Sequence, residues 1–170
     1  MALFWNKQFN TLDDLFWEQV EDLYDAEHRI TEALPLMAEA SHSPVLRSAF
    51  DSHLQETKAH ISRLEQIFRQ AGKEPARSTC AAMKGLVAEG DDMMSASGDD
   101  DVRDAALIAA AQRVEHYEIS GYGTTRTLAK TLGMTEAARI LQTTLDEEKA
   151  TDLKLTEIAE QSVNLHAAHS

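Results

Sequence analysis

The sequence predicts an all-α protein: four long helices packed as two hairpins, with one long crossover between the pairs. Three observations carry that expectation. Only three prolines and seven glycines interrupt the 170 residues, leaving long runs of Ala, Leu, Glu and Gln, which lose least on entering a helix. Apolar residues recur at steps of three and four, the stripe of a helix that faces a core. Short turn signals separate the first helix from the second and the third from the fourth, whereas Gly72 to Asp101 is long enough to cross a bundle.

The first helix is expected over residues 11–40. The Thr11 hydroxyl can cap its orphan amides, Asp13 and Asp14 suit the positive end of the helix dipole, and Pro35 is expected to kink it. Its seam reads Leu12, Phe16, Gln19, Leu23, Glu27, Ile30 and Leu34, so Glu27 stands where a core residue belongs. After His42-Ser43-Pro44 the second helix, residues 44–71, carries Leu46, Phe50, His53, Glu56 or Thr57, His60, Leu64 and Ile67, and Gly72 with Pro75 ends it. The crossover holds one short helix, residues 79–89, with Met83, Leu86 and Val87. The acidic, Gly- and Ser-containing stretch after it, including Met93 and Met94, is expected as a solvated loop. The third helix, residues 102–132, presents Ile108, Gln112, Glu115, then Glu118 or Ile119, then Tyr122, and Gly133 should cap it. The fourth, residues 135–163, presents Ala137, Leu141, Thr144, Glu148, Asp152 and Leu155, and a tail over 164–170 is expected to fray.

Composition bounds the function. A chain that is 43% hydrophobic and 26% charged can bury a sizeable core, and a single domain over 1–170 is expected. With 16 basic against 29 acidic side chains and a net charge of -13, the surface repels phosphate backbones and anionic lipid. No nucleic-acid or membrane partner is expected. The opening MALFWNKQFN has no basic region leading into an apolar one, so the protein is read as cytoplasmic. Cys80 is the single cysteine, which excludes an internal disulfide and a thiolate metal site and leaves the role of a small buried hydrophobe. Phe4, Trp5 and Phe9 form an aromatic arm that needs a surface to cover it, and Gly121 and Gly123 suit a close helix contact; a homodimer is expected.

Glu27, Glu56, Glu115, Glu118, Glu148 and Asp152 occupy positions on four expected helices where the apolar spacing calls for core residues. A carboxylate moved into a bundle interior loses several kcal/mol of solvation unless it is paired, protonated or bound to a cation. Ferritin-like carboxylate proteins hold two ions between one Glu from each of two helices and a Glu-x-x-His unit from each of the others. Here Glu27 and Glu115 match the single glutamates, and Glu56 and Glu148 the bridging ones. Oxygen ligands with an occasional imidazole suit Fe or Mn, and two ions per chain are expected. The spacing departs from that pattern, because Ala59 and Thr151 stand three residues after Glu56 and Glu148. His60 and His53 are the substitutes on the second helix, and Glu118 and Asp152 extend the set on the third and fourth. For Glu118 and Asp152 an exposed face with a neighbouring Lys or Arg is an equal alternative. For the rest, the alternative is a hydrogen-bonded network with Tyr24, Tyr117, Tyr122, Arg63 or Arg126.

Long strings of the sequence also resemble a known family. LYDAEHRI (Leu23 to Ile30), HLQET (His53 to Thr57), CAAMKGLV (Cys80 to Val87), DAALIAAAQRVEHYEISGYGT (Asp104 to Thr124) and LDEEKATDLKLTEIA (Leu145 to Ala159) resemble the YciE/YciF stress-protein family over about residues 11–164. The resemblance implies a ferritin-like, rubrerythrin-related fold, a bacterial cytoplasmic setting, dimer formation and a link to stress. It matches Glu27, Glu56, Glu115, Glu118, Glu148, Asp152 and His53 to the family's acidic core. The function expected is therefore a di-metal carboxylate protein of the stress response that handles oxygen or peroxide. The missing Glu-x-x-His spacings support the alternative, a non-catalytic interaction bundle that has lost its metal.

Overall fold

The computed structural model describes residues 7–169, and among them the regular structure is entirely helical. Helix α1 runs Leu12–Ala40, α2 Pro44–Gln70, α3 Ala81–Met94, α4 Asp100–Thr131 and α5 Thr135–Ile158. One π turn, Ala159–Val163, leads into the short α6, Asn164–Ala167. Phe4 and Trp5 lie outside the described residues.

The helix ends follow local chemistry. Thr11 Oγ1 accepts from the Asp14 N–H at 3.1 Å while the Asp14 carboxylate accepts from the Thr11 N–H at 2.9 Å, a reciprocal capping box. Gly72 and Gly133 take left-handed φ values of 67° and 74°, which L side chains resist. Beyond them the Lys73 and Met134 amides reach back to the Phe68 and Ala129 carbonyls at 3.0 and 2.9 Å, closing α2 and α4. The α1–α2 turn is pinned from outside the hairpin: the buried Asp104 of α4 accepts from the His42 and Ser43 amides at 2.9 and 2.6 Å.

Helices α1, α2, α5 and α4 surround the core in that order, and α3 packs across α1 and α4. Gly121 permits the α1–α4 approach, since a Cβ there would lie 2.8 Å from Leu23 Cδ2. That contact lies inside the bundle, so Gly121 is explained without a second copy. Two apolar clusters fill the interior. One gathers Phe16, Trp17, Val20, Phe68 and Leu141; the other gathers Ile30, Leu34, Phe50, Leu107 and Leu155. Burying each such side chain stabilises the fold by roughly 1.5–3 kcal/mol, which offsets the cost of the polar layer between the clusters.

Two expected elements shift. Helix α3 continues past 89 to Met94, because Met83, Gly90 and the half-buried Met93 and Met94 keep one face against the bundle. The acidic stretch is thus mostly helical and Met93 and Met94 are packed, which corrects the solvated-loop reading. The segment 164–167 is helical rather than frayed, held by buried Val163. Helix α1 continues through Pro35, which sits on its exposed side.

Candidate metal centre

The polar layer is built one residue at a time from four helices. Glu27 comes from α1, His53 and His60 from α2 two turns apart, Glu115 and Glu118 from α4 one turn apart, and Glu148 from α5. All six are buried, with Glu27, His60, Glu118 and Glu148 at 0% exposure. Offsets of three and seven keep each same-helix pair on one face, so the seam that buries leucines elsewhere here delivers ligand atoms.

Two groups form within this layer. Ligand-type atoms of His53, Glu115, Glu118 and Glu148 lie within 4.8 Å of one another, as do those of Glu27, His60 and Glu148. Glu148 belongs to both. Six carboxylate oxygens in the layer, Glu27 Oε2, Glu115 Oε2 and both oxygens of Glu118 and Glu148, are buried without a hydrogen bond, as are His53 Nε2 and His60 Nδ1. His60 Nδ1 is 3.3 Å from Glu27 Oε1 and 3.0 Å from Glu148 Oε1, yet aligned for a hydrogen bond with neither. Buried acceptors left in this state are costly, and their convergence on common points suits cations better than each other.

The outward nitrogens of both rings have partners. His60 Nε2 is 2.9 Å from Glu147 Oε2, and Glu147 is clamped in turn by Arg63, with Nη2 donating to Oε1 at 2.9 Å. His53 Nδ1 is 3.4 Å from Glu56 Oε2. A histidine that donates its outer N–H to a carboxylate turns its inner lone pair inward and gains basicity, the arrangement that orients imidazoles on metals. Tyr122, buried at the edge of the layer, donates its O–H to Glu27 Oε1.

Protonation in the metal-free protein follows from burial. Loss of water pushes Glu115 up to about 7, against the pull of His53. Burial and the neighbouring Glu148 and Glu27 charges push Glu118 well above the carboxylate range. Burial opposes a charged His60, but the Glu148 and Glu27 carboxylates beside it outweigh burial and raise it to about 10. Protons thus occupy positions that a cation would take.

The expected site residues fall into three sets. Glu27, His53, His60, Glu115, Glu118 and Glu148 come together, and Glu118 lies fully inside rather than on the surface. Glu56 departs from the seam reading: its side chain is 43% exposed, because Thr57 takes the buried position between His53 and His60. It stands beside His53 and outside both groups. Asp152 also stays outside the groups, half-buried, accepting from Gln112 Nε2 at 3.0 Å with His116 at 3.4 Å. Of the alternative partners, Tyr24 reaches Glu65, Tyr117 Asp22, Arg126 Gln142 and Arg63 Glu147; only Tyr122 reaches the layer's carboxylates. Glu147 is the participant that sequence reasoning missed. Its one signal was adjacency to Glu148 on the face that Arg63 meets.

Comparison with known proteins fits this architecture. A family model described as a domain of unknown function (DUF892) matches residues 11–168. Protein YciF of Escherichia coli (strain K12) is 46% identical over 158 residues, covering 92% of this chain and 95% of that protein. The chain belongs to the DUF892 family. The crystal structure of E. coli YciF, described as a stress protein, superposes on this family member with a TM-score of 0.88 at 45% identity, covering 92% and 99% of the two chains. A second family-like structure, YcfI from Rhodopseudomonas palustris, described as a putative structural protein, gives 0.86 at 42% identity over 90% and 98%. A ferritin-like, diiron-carboxylate protein from Bacillus anthracis str. Ames gives 0.65 at 18% identity over 89% and 99%, a likeness of fold alone. The DUF892 chain is therefore a ferritin-like bundle of the YciF kind, with a buried His/Glu cluster suited to metal. Among the described residues no helix is long and apolar enough to cross a membrane.

Proposed function

We propose that this chain is a dinuclear metal-carboxylate protein that takes two Fe or Mn ions and handles oxygen or peroxide in a bacterial stress response. One observation carries the reading: Glu148 is shared by two groups of buried ligand atoms, which gives a carboxylate in position to bridge two cations. The stress context rests on the description of the YciF relative. Bound Fe or Mn would supply Lewis acidity and one-electron redox capacity among hard oxygen donors. His53, Glu115 and Glu118 would hold one ion, Glu27 and His60 the other, and Glu148 both.

The rest of the chemistry belongs to the protein. Glu147 and Glu56 fix the ring orientations of His60 and His53, and the Arg63 clamp keeps Glu147 in place. Tyr122 holds a proton on its phenol oxygen beside Glu27 Oε1, and the apolar clusters on both sides exclude bulk water. The proposal extends to a homodimer, supported by Phe9, 45% exposed just ahead of α1.

The test is metal analysis of protein purified without chelator, followed by anaerobic Fe(II) titration. The reading expects about two ions per chain. Less than about one Fe or Mn per chain, with no gain on Fe(II) addition, would reject it and leave a metal-free interaction bundle.

A further inference from the structure

The apolar cluster on the His53 side of the polar layer is not solid. A cavity of about 150 Å³ opens inside it, walled by Ile30, Leu34, Phe50, Val87 and Leu155. His53 and Glu115 form part of its lining, and the exposed Asp91 and Lys154 mark its rim. An engineered cavity of about 150 Å³ walled by Leu, Ile and Phe stays dry and binds benzene. The cavity here has that size and largely apolar walls, with two differences: His53 and Glu115 line one side, and it is partly open, with Glu56, Glu147, Asp91 and Lys154 also in its lining.

Gly90 offers a handle on this space. It lies mid-helix in α3, where glycine is unfavourable relative to alanine. It is buried and lines the cavity, yet a Cβ added there would meet nothing within 4 Å. No close approach of helices requires the glycine, unlike Gly121 against Leu23. Open space beside the cavity that Gly90 lines leaves room for a larger side chain there to fill part of it.

We propose that this cavity binds the apolar end of a small organic molecule, a group of about benzene's size, and presents the molecule's one polar end to the His53–Glu115 side of the metal centre. The proposal rests on the metal-centre reading and adds an organic molecule to the oxygen or peroxide proposed there. Oxygen and peroxide need no such walls, so the cavity serves a second molecule beside them, and an inner space of about 150 Å³ suits a short apolar group. A ligand with one aryl or branched alkyl group and one polar end satisfies both the walls and the lining carboxylate and imidazole.

The test has two arms on the full chain. In the first, metal-free protein is titrated with benzene, and the methyl resonances of Ile30, Leu34 and Val87 are followed by NMR. Saturable shifts are expected, and Gly90→Leu should weaken binding at least about tenfold while leaving the helical spectrum and Tm intact. Gly90→Ala, a smaller filling, should have an intermediate effect. In the second arm, benzyl alcohol is added to Mn(II)-loaded protein. Its protons should relax faster than with Gly90→Leu protein, and the CH2 group next to the hydroxyl should relax fastest. Absence of saturable benzene binding, binding indifferent to Gly90→Leu, or binding lost as protein self-association covers the cavity would overturn the inference. If the protein takes up no Mn(II), the metal-centre reading fails, and the benzene arm still decides whether the cavity is a ligand site.

Discussion

His53 and His60 stand on the same face of α2, two turns apart, and each offers one nitrogen to the polar layer and the other to a carboxylate at its margin. Their surroundings differ. His60 is sealed: its inner nitrogen sits 3.3 and 3.0 Å from Glu27 and Glu148, Tyr122 closes the adjacent space, and an Arg63-clamped Glu147 holds its outer nitrogen at 2.9 Å. His53 lines the cavity itself, whereas on the His60 side only the outer partner Glu147 does, and the outer partner of His53, Glu56, is farther away, at 3.4 Å, and half-exposed. One half of the site is thus built to hold and the other to be approached. The apolar cluster beside His60 is rich in aromatics, with Phe16, Trp17, Tyr24, Phe68 and Tyr122. The cluster beside His53 is largely aliphatic, with several alanines, and contains the void.

The largest expected effect removes the member common to both halves. Glu148→Gln should lower metal content from about two ions per chain to less than one, measured by plasma mass spectrometry after Fe(II) or Mn(II) loading. In the metal-free variant the Glu148 charge beside protonated His60 is lost, which should cost on the order of a few kcal/mol of stability near neutral pH. Retention of both ions would break the shared-ligand account. Next come the two histidines taken singly. His60→Ala and His53→Ala should each lower the stoichiometry by about one ion, and only His53→Ala should alter a cavity-bound ligand's resonances.

The metal-free protein should also respond to pH in a direction fixed by its protonation. Glu115 titrates at about 7 when folded, against an ordinary 4.5, so the folded state holds a proton there that the unfolded chain has released. Its ionisation cost enters as pH rises from about 4.5 to about 7, and the raised Glu118 acts in the same sense. His60, at about 10 when folded against an ordinary 6.5, contributes stability that is whole below about 6.5 and lost by about 10. Both groups act together, so urea unfolding should show the metal-free protein losing on the order of a few kcal/mol between pH 5 and pH 10. Bound metal displaces those protons and should flatten or reverse the trend. A metal-free protein that gains stability over that range would contradict the protonation described here. The smallest effects belong to the outer carboxylates: Glu147→Gln should weaken metal binding about 10- to 100-fold, and Glu56→Gln by less, because its bond is longer and wetter.

The four long helices were legible because three- and four-residue apolar steps, a capping Thr11 and the two C-terminal glycines are local signals that the tertiary structure did not override. Helix α3 was cut short in the reading because Gly90 and the flanking acidic residues resemble a loop; the force that keeps them helical is packing of Met93 and Met94 on distant helices. The buried His/Glu cluster was legible wherever a charged residue broke a seam, as at Glu27, Glu115 and Glu148. Glu56 lies outside the buried cluster for a geometric reason: adjacent positions lie about 100° apart on a helix, and the sequence offers no way to choose it over Thr57. Glu147 and the cavity arise from contacts between helices far apart in the chain, for which no local pattern exists.

The central claim is that two cations share Glu148 inside the bundle. Anomalous diffraction from crystals of protein loaded with Fe(II) or Mn(II), collected at the matching absorption edge, tests it most directly. The account predicts two peaks flanking the Glu148 carboxylate, one against His53, Glu115 and Glu118 and the other against Glu27 and His60. A layer without anomalous density, its carboxylates closed onto protonated His53 and His60, would contradict it.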